Sequence, residues 1–377
     1  MNDLELHNLT NPILTDYVRP SYWLPIPEPA TGEQRFIGLF AVPEYMNYCS
    51  IDYAAVGTGS ATIYWGDGTT TSVASGGGVT QVVRKTINYS ALAGTDTPRG
   101  YRQTIVDVTF PATWTVTRIN LQSPHNTATN YWGGAQWLDI NLSGASISTL
   151  SCDNTPFLER FKFWGVNNLT SFNGLFLKDI SLQSVEMDTS KGTDFSYMFQ
   201  HCTSLRKAPS LTTSNGTNFS YCFDNCSALT EMVLWDTSKA TNMSYMFQGC
   251  CNLRLLPALN TSLVTSFTFF LAFCGNLFEI PALNMNSATN SDYIISGGSG
   301  QSTELLSYRL GKALMVNIKT TIGFSACCLS REAIVTIFNN LTTVSGKTIN
   351  LTNNWGVANL TAGDRAIATN KGWTITG

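Results

Sequence analysis

The chain has 377 residues, 43% of them hydrophobic and only 12% charged, with a formal net charge of −3. That length can bury two or three cores, and so little charge, with no run of Lys or Arg, leaves no electrostatic footprint for a nucleic acid or an anionic membrane. No apolar run reaches membrane-spanning length, and the opening Met1-Asn2-Asp3-Leu4-Glu5 has neither the basic nor the apolar part of an export signal. The expectation is therefore a chain made in the cytoplasm, without membrane insertion, whose ten cysteines are reduced.

Residues 1–43 show little periodicity but carry Tyr17, Pro20, Tyr22, Trp23, Pro25, Pro27 and Pro29. Such a stretch does not bury enough apolar surface to order itself alone. It is read as a docking arm held by a partner chain, with Tyr17, Tyr22 and Trp23 as its contacts; the other reading is that it folds back on the domain that follows.

Residues 44–112 alternate in character and break at turn residues. Thr62-Ile63-Tyr64 runs into Trp65-Gly66-Asp67-Gly68-Thr69, and further short strands are predicted over 79–83, 86–89 and 101–110. This spacing predicts a β-sandwich. The Trp65-Gly66-Asp67-Gly68-Thr69 turn, with Gly100-Tyr101 later, resembles the PKD-type immunoglobulin-like domain. Asp67 is assigned to its turn, bonding nearby backbone, rather than to calcium.

From about residue 138 the sequence repeats. Cys202, Cys226, Cys250 and Cys274 are each 24 residues apart, preceded in register by Phe199, Phe223, Phe247 and Leu271, by Tyr197, Tyr221, Tyr245 and Phe269, and by Thr193, Thr217, Thr241 and Thr265. Leu205, Leu229, Leu253 and Leu277 follow each cysteine, and Leu182, Leu158 and Leu138 extend that column backwards. One such unit is too short to bury its apolar positions alone, so copies must stack, and each column becomes a ladder. The cysteine ladder is read as packing: a 24-residue period places thiols in line, whereas a metal site needs them to converge.

Residues 235–250, with Asp236-Thr237-Ser238 and Thr241-Asn242-Met243-Ser244-Tyr245-Met246-Phe247, resemble the BspA-like leucine-rich repeat. The resemblance implies a leucine-rich-repeat solenoid, placed over 113–329, that binds other proteins, cells or surfaces without catalysis. In the loop before the regular repeats, Tyr131, Trp132 and Trp137 lie among Asn, Thr and Gly. They are candidate glycan- or receptor-binding rings; alternatively they cover the open end of the solenoid and pack against the sandwich.

Residues 330–377 form a small α/β cap. Helical spacing over 331–341 follows Ser330 as N-cap, a second helix covers 361–368, and strands are predicted at 348–351 and 373–375. The segment Ala366-Ile367-Ala368-Thr369-Asn370-Lys371-Gly372-Trp373-Thr374-Ile375 resembles the closing segment of leucine-rich-repeat proteins of tailed bacteriophages.

His7, His125 and His201 are scattered, and no nucleophile, phosphate-binding or metal motif appears. The fold expected is mainly β, an immunoglobulin/PKD-like sandwich followed by a leucine-rich-repeat solenoid and its cap. The function expected is non-enzymatic, with no cofactor and no metal: a bacteriophage virion protein, tail or head fibre or decoration, joined to other virion proteins by its N-terminal part. It would be a homo-oligomer that presents the solenoid to a host cell-surface glycan or protein. A bacterial surface adhesin and a polysaccharide-degrading tailspike are the alternatives.

Overall fold

The computed structural model describes residues 16–122, 136–277, 280, 282–296, 315–327 and 329–377. Over these the chain is mainly β. The N-terminal strands are β1 (Gln34–Val42), β2 (Tyr48–Val56), β3 (Ser60–Tyr64), β4 (Thr70–Ala74), β5 (Gln81–Thr86), β6 (Arg102–Phe110) and β7 (Thr115–Asn120). They continue with β8 (Trp137–Ser143), β9 (Thr149–Ser151), β10 (Arg160–Trp164) and β11 (Ser184–Glu186). One sheet runs β11-β10-β8-β1-β6-β3-β4 and the other β5-β2-β7-β9. Phe36, Phe40 and Val108 of the first and Ile51, Tyr53 and Val116 of the second share one core, where Tyr53 meets Phe110 at 5.5 Å between ring centroids.

Strand β1 corrects the expected arm boundary at 43. It lies mid-sheet, antiparallel to both β6 and β8, and is buried on both faces, which is why Phe36-Ile37-Gly38-Leu39-Phe40-Ala41-Val42 is a continuous apolar run instead of an alternating one. Residues 79–89, expected to form two strands, give one, β5, followed by a 3-10 turn at Tyr89–Leu92.

No break falls near residue 113 either. Parallel pairing of β8 with β10 and of β10 with β11 carries the first sheet onward, and β7 pairs in parallel with β9. Both sheets thus run into the repeats, and a single apolar core extends from Phe36 to Trp373. The Arg160↔Asp139 pair also sets Leu158 level with Trp137, not Leu138. Leu138 faces the opposite side of the sheet with Trp23, Leu39 and Tyr101.

Beyond β11 the chain stacks in coils one strand spacing apart, about 4.8 Å. Parallel bridges join Asp194, Asn218, Asn242, Ser266 and Asn290 along one side and Lys207, Glu231 and Leu255 along another. The short polar columns explain the coil's corners. Asp188, Asp236 and Asn260 each accept a bond from the backbone N–H two residues on, and Asp194, Asn218 and Asn242 do the same at a second corner, so Asp-x-Ser and Asn-x-Ser are turns that close on themselves.

Inside, equivalent rings stack: Phe195 on Phe219 at 5.3 Å and Phe199 on Phe223 at 5.3 Å. Trp235 wedges against Phe223 and donates its Nε1–H to the Pro209 carbonyl at 2.9 Å. Each repeat cysteine is buried and donates its thiol to a phenylalanine carbonyl of the preceding coil, Cys202 to Phe176, Cys226 to Phe199, Cys250 to Phe223 and Cys274 to Phe247, at 2.9–3.1 Å. A small, weak donor is what that site accommodates. Burial pushes all four thiols well above their ordinary pKa.

Strands β12 (Leu283–Asn284) and β13 (Met315–Val316) pair in parallel, as do β14 (Ile322–Gly323), β15 (Lys347–Asn350) and β16 (Trp373–Thr376) in the closing sheet. Helix α1 (Arg331–Asn340) starts at Ser330, whose side chain accepts from Ala333 N–H. Helix α2 (Ala362–Thr369) opens with a reciprocal capping box between Thr361 and Asp364. Arg331 grips Asp364 with two bonds of 2.8 and 2.9 Å, tying the helices together over the end of the core.

Candidate binding surface

The rings singled out from sequence do not gather. Tyr131 and Trp132 lie outside the described residues. Trp137 is wholly buried in β8, edge-on to Phe36 at 5.0 Å and Phe40 at 4.9 Å, so it is a core residue and not a ligand platform. The strand that carries it, β8, pairs with β1 on one side and with β10 on the other.

The arm is corrected in the same way from residue 16 onward. Trp23 is 3% exposed and packs with Leu39, Ala41, Tyr101 and Leu138, with Tyr22 beside it. Arg19 stands over the Trp23 ring at 5.4 Å and bonds Asp139, a fully buried carboxylate that Arg160 also bonds at 2.6 Å. Residues 16–33 thus cover the outer face of the chain's own sheet, so Tyr22 and Trp23 are spent on an internal contact.

Tyr17 borders a cleft of about 660 Å³ between this segment and the coils, with Arg99, Glu159, Glu186, Arg206 and Lys207. Burial, then Glu159 and Asp139, push its phenol pKa far up. Three ion pairs lie at the cleft: Arg99 bonds the buried Glu159, Lys162 meets Glu186 at 2.8 Å, and Lys207 lies 3.6 Å from Asp16. Among the described residues no group of three or more His, Cys, Asp or Glu is placed to hold a metal. Asp67 closes its own turn: Thr69 N–H and Asn88 N–H donate to it, and although burial opposes its charge these bonds hold the carboxyl below its ordinary range.

A different aromatic set does gather. Tyr197, Tyr221, Tyr245, Phe269 and Tyr293 follow one another up the outside of the stack, half-buried except Tyr293, which is 47% exposed. Neighbouring rings lie 4.7, 4.3, 5.1 and 5.0 Å apart and within 20° of parallel. All five residues are left-handed, with φ between 52° and 60°. For bulky side chains that conformation costs about 1–3 kcal/mol each, against roughly 0.5–1.5 kcal/mol per stacked pair. The packing term does not clearly exceed the strain, so an outward ring at every turn is costly as scaffolding alone.

Four residues on, a second left-handed column runs through Lys178, His201, Asn225, Gly249 and Phe273. Burial and the flanking tyrosines lift the Tyr221 phenol to about 12. Exposed Thr217, Thr241, Thr265 and Thr289 line the same stack, each donating its hydroxyl to the equivalent carbonyl one coil back at 3.0–3.1 Å.

Period alone placed Tyr197, Tyr221, Tyr245 and Phe269 in one column without saying that it faces outward. Its first member escaped the period, because Gly174 lies 23 residues before Tyr197 and not 24, yet occupies the same left-handed turn.

Residues 145–256 and 217–297 match a family model described as Mycoplasma protein of unknown function, DUF285. No curated protein and no solved structure matches the chain.

Proposed function

We propose that this chain is a non-enzymatic adhesion protein of a bacteriophage virion, a tail or head fibre or decoration protein. In this reading residues 44–112 belong to a PKD-like immunoglobulin sandwich and the stacked coils are a leucine-rich-repeat solenoid of BspA-like type. The N-terminal region attaches a homo-oligomer to other virion proteins, and the solenoid meets the cell surface. The observation that carries the adhesive part is the outward aromatic column on a charge-poor, hydroxyl-rich stack. Rings presented with hydroxyls and amides suit uncharged glycans, which are bound by stacking and by hydrogen bonds.

The virion setting rests on the likeness of residues 366–375 to phage repeat proteins. Two measurements test the proposal. Purified chain is expected to adsorb saturably to bacterial cells, and gold-labelled antibody against it to decorate particles in electron micrographs of the source. Failure to adsorb to any cell tested removes the adhesive role; unlabelled particles remove the virion role.

A further inference from the structure

We propose that the aromatic stack has a vacant first position, the space beside Gly174, and that this slot takes a pyranose ring of a surface glycan laid against the face of Tyr197. The inference rests on the adhesion reading and names the ligand class of its aromatic column.

The register is set by the backbone. Tyr197, Tyr221, Tyr245 and Phe269 each donate their N–H to the carbonyl of the residue preceding the next ring of the column, Ser220, Ser244, Thr268 and Asp292, at 2.8–3.1 Å. Gly174 donates to Ser196, the residue preceding Tyr197, at 2.9 Å. Its φ of 61° falls beside the 59°, 58° and 60° of the three tyrosines. Gly174 is therefore the same position one coil earlier, with the ring removed.

Apart from its chain neighbours, a Cβ built on Gly174 would meet within 4 Å only the Leu177 Cβ, at 3.9 Å, so a side chain has room to start there. The ring of Tyr197 is covered by Tyr221 at 4.7 Å on one side, and on the other the column offers it no aromatic partner. One coil spacing separates the two levels, the thickness of one stacked ring.

The surroundings favour a sugar over a flat aromatic ligand. Exposed Asn173, Ser171 and Lys178 adjoin the position on its own coil, and Asn173 bonds the Ser196 hydroxyl at 2.6 Å. A pyranose has one C–H-rich face for a single ring and a hydroxyl rim for such neighbours, whereas an aromatic ligand gains most when both faces are covered.

The test uses the full chain, a printed array of bacterial surface oligosaccharides and intact bacterial cells. Wild type is expected to bind at least one oligosaccharide. Tyr197→Ala, which removes the platform, and Gly174→Tyr, which fills the slot with the ring found one coil later, are each expected to weaken that binding about tenfold or more, while thermal unfolding shows both folded; Tyr197→Phe keeps the face and restores binding. Unchanged affinity in a folded Tyr197→Ala overturns the slot, and that variant decides alone should Gly174→Tyr not fold. Wild type that adsorbs to cells but binds no oligosaccharide also overturns the slot and leaves adhesion standing. Wild type that binds neither cells nor array removes both.

Discussion

The N-terminal sheets and the stacked coils bury side chains by different rules. In the sheets each position is unique: Phe36 lies opposite both Val108 and Leu142, and Trp137 crosses over between Phe36 and Phe40. In the coils each ring touches mainly its own counterpart, Phe199 on Phe223 and Phe223 on Phe247, within 12° of parallel. A substitution in the first region should therefore act through long-range partners, and one in the second through the adjoining coils alone. The comparison also separates what aromatic residues do: Phe36, Phe40, Tyr53 and Trp137 of the sheets are enclosed, and in the coils one column is turned out toward solvent.

The largest effect should come from the seam. Trp137→Ala is expected to cost about 3–5 kcal/mol, measured by chemical denaturation, because it empties a wholly buried site shared by both regions. Normal stability with lost cell adsorption would break the comparison and return Trp137 to a surface role.

Within the coils, Cys226→Ala should cost only about 1 kcal/mol, with faster hydrogen exchange confined to the neighbouring coils. Native protein treated with iodoacetamide should be modified at Cys251, the one partly exposed thiol among the described residues, before Cys202, Cys226, Cys250 or Cys274. Fast labelling of those four, whose thiolates burial disfavours, would contradict the enclosed ladder.

The smallest effect concerns the cap. The Arg331 guanidinium, then the Thr361 backbone and hydroxyl, hold the Asp364 carboxyl down to about 2. A depressed carboxylate contributes stability that is present above its unfolded pKa of about 3.9 and is lost as pH falls toward the folded value. Acid titration of α1 and α2 by circular dichroism should show the helices loosening between about pH 4 and pH 2, and Asp364→Asn should remove that dependence. An identical acid limb in the variant would show that other groups control the cap.

Much of the repeat was legible because its columns recur at a constant period, and recurrence reports burial whatever the partner. The inward cysteines followed from that, and helical spacing gave the cap helices with Ser330 and Thr361 at their starts. The sheet boundaries were not legible. Strand β1 pairs with β6 and β8, and nothing local in residues 34–42 names strands so distant in sequence. Trp23 and Trp137 read alike as aromatics among polar and proline residues, and only the packing of Leu39 and Leu138 on one face of β1 and β8, and of Phe36 and Phe40 on the other, decides where each ring goes.

Sequence by itself determined that the chain repeats every 24 residues, that small thiols and phenylalanines fill the columns, and that its polar surface carries little charge. Tertiary structure alone decided that the tyrosine column faces outward and begins at an empty position. The physical reason is the left-handed backbone at these turns: the sign of φ sets the direction of each ring, and only the hydrogen bonds between coils bring Gly174 level with Tyr197.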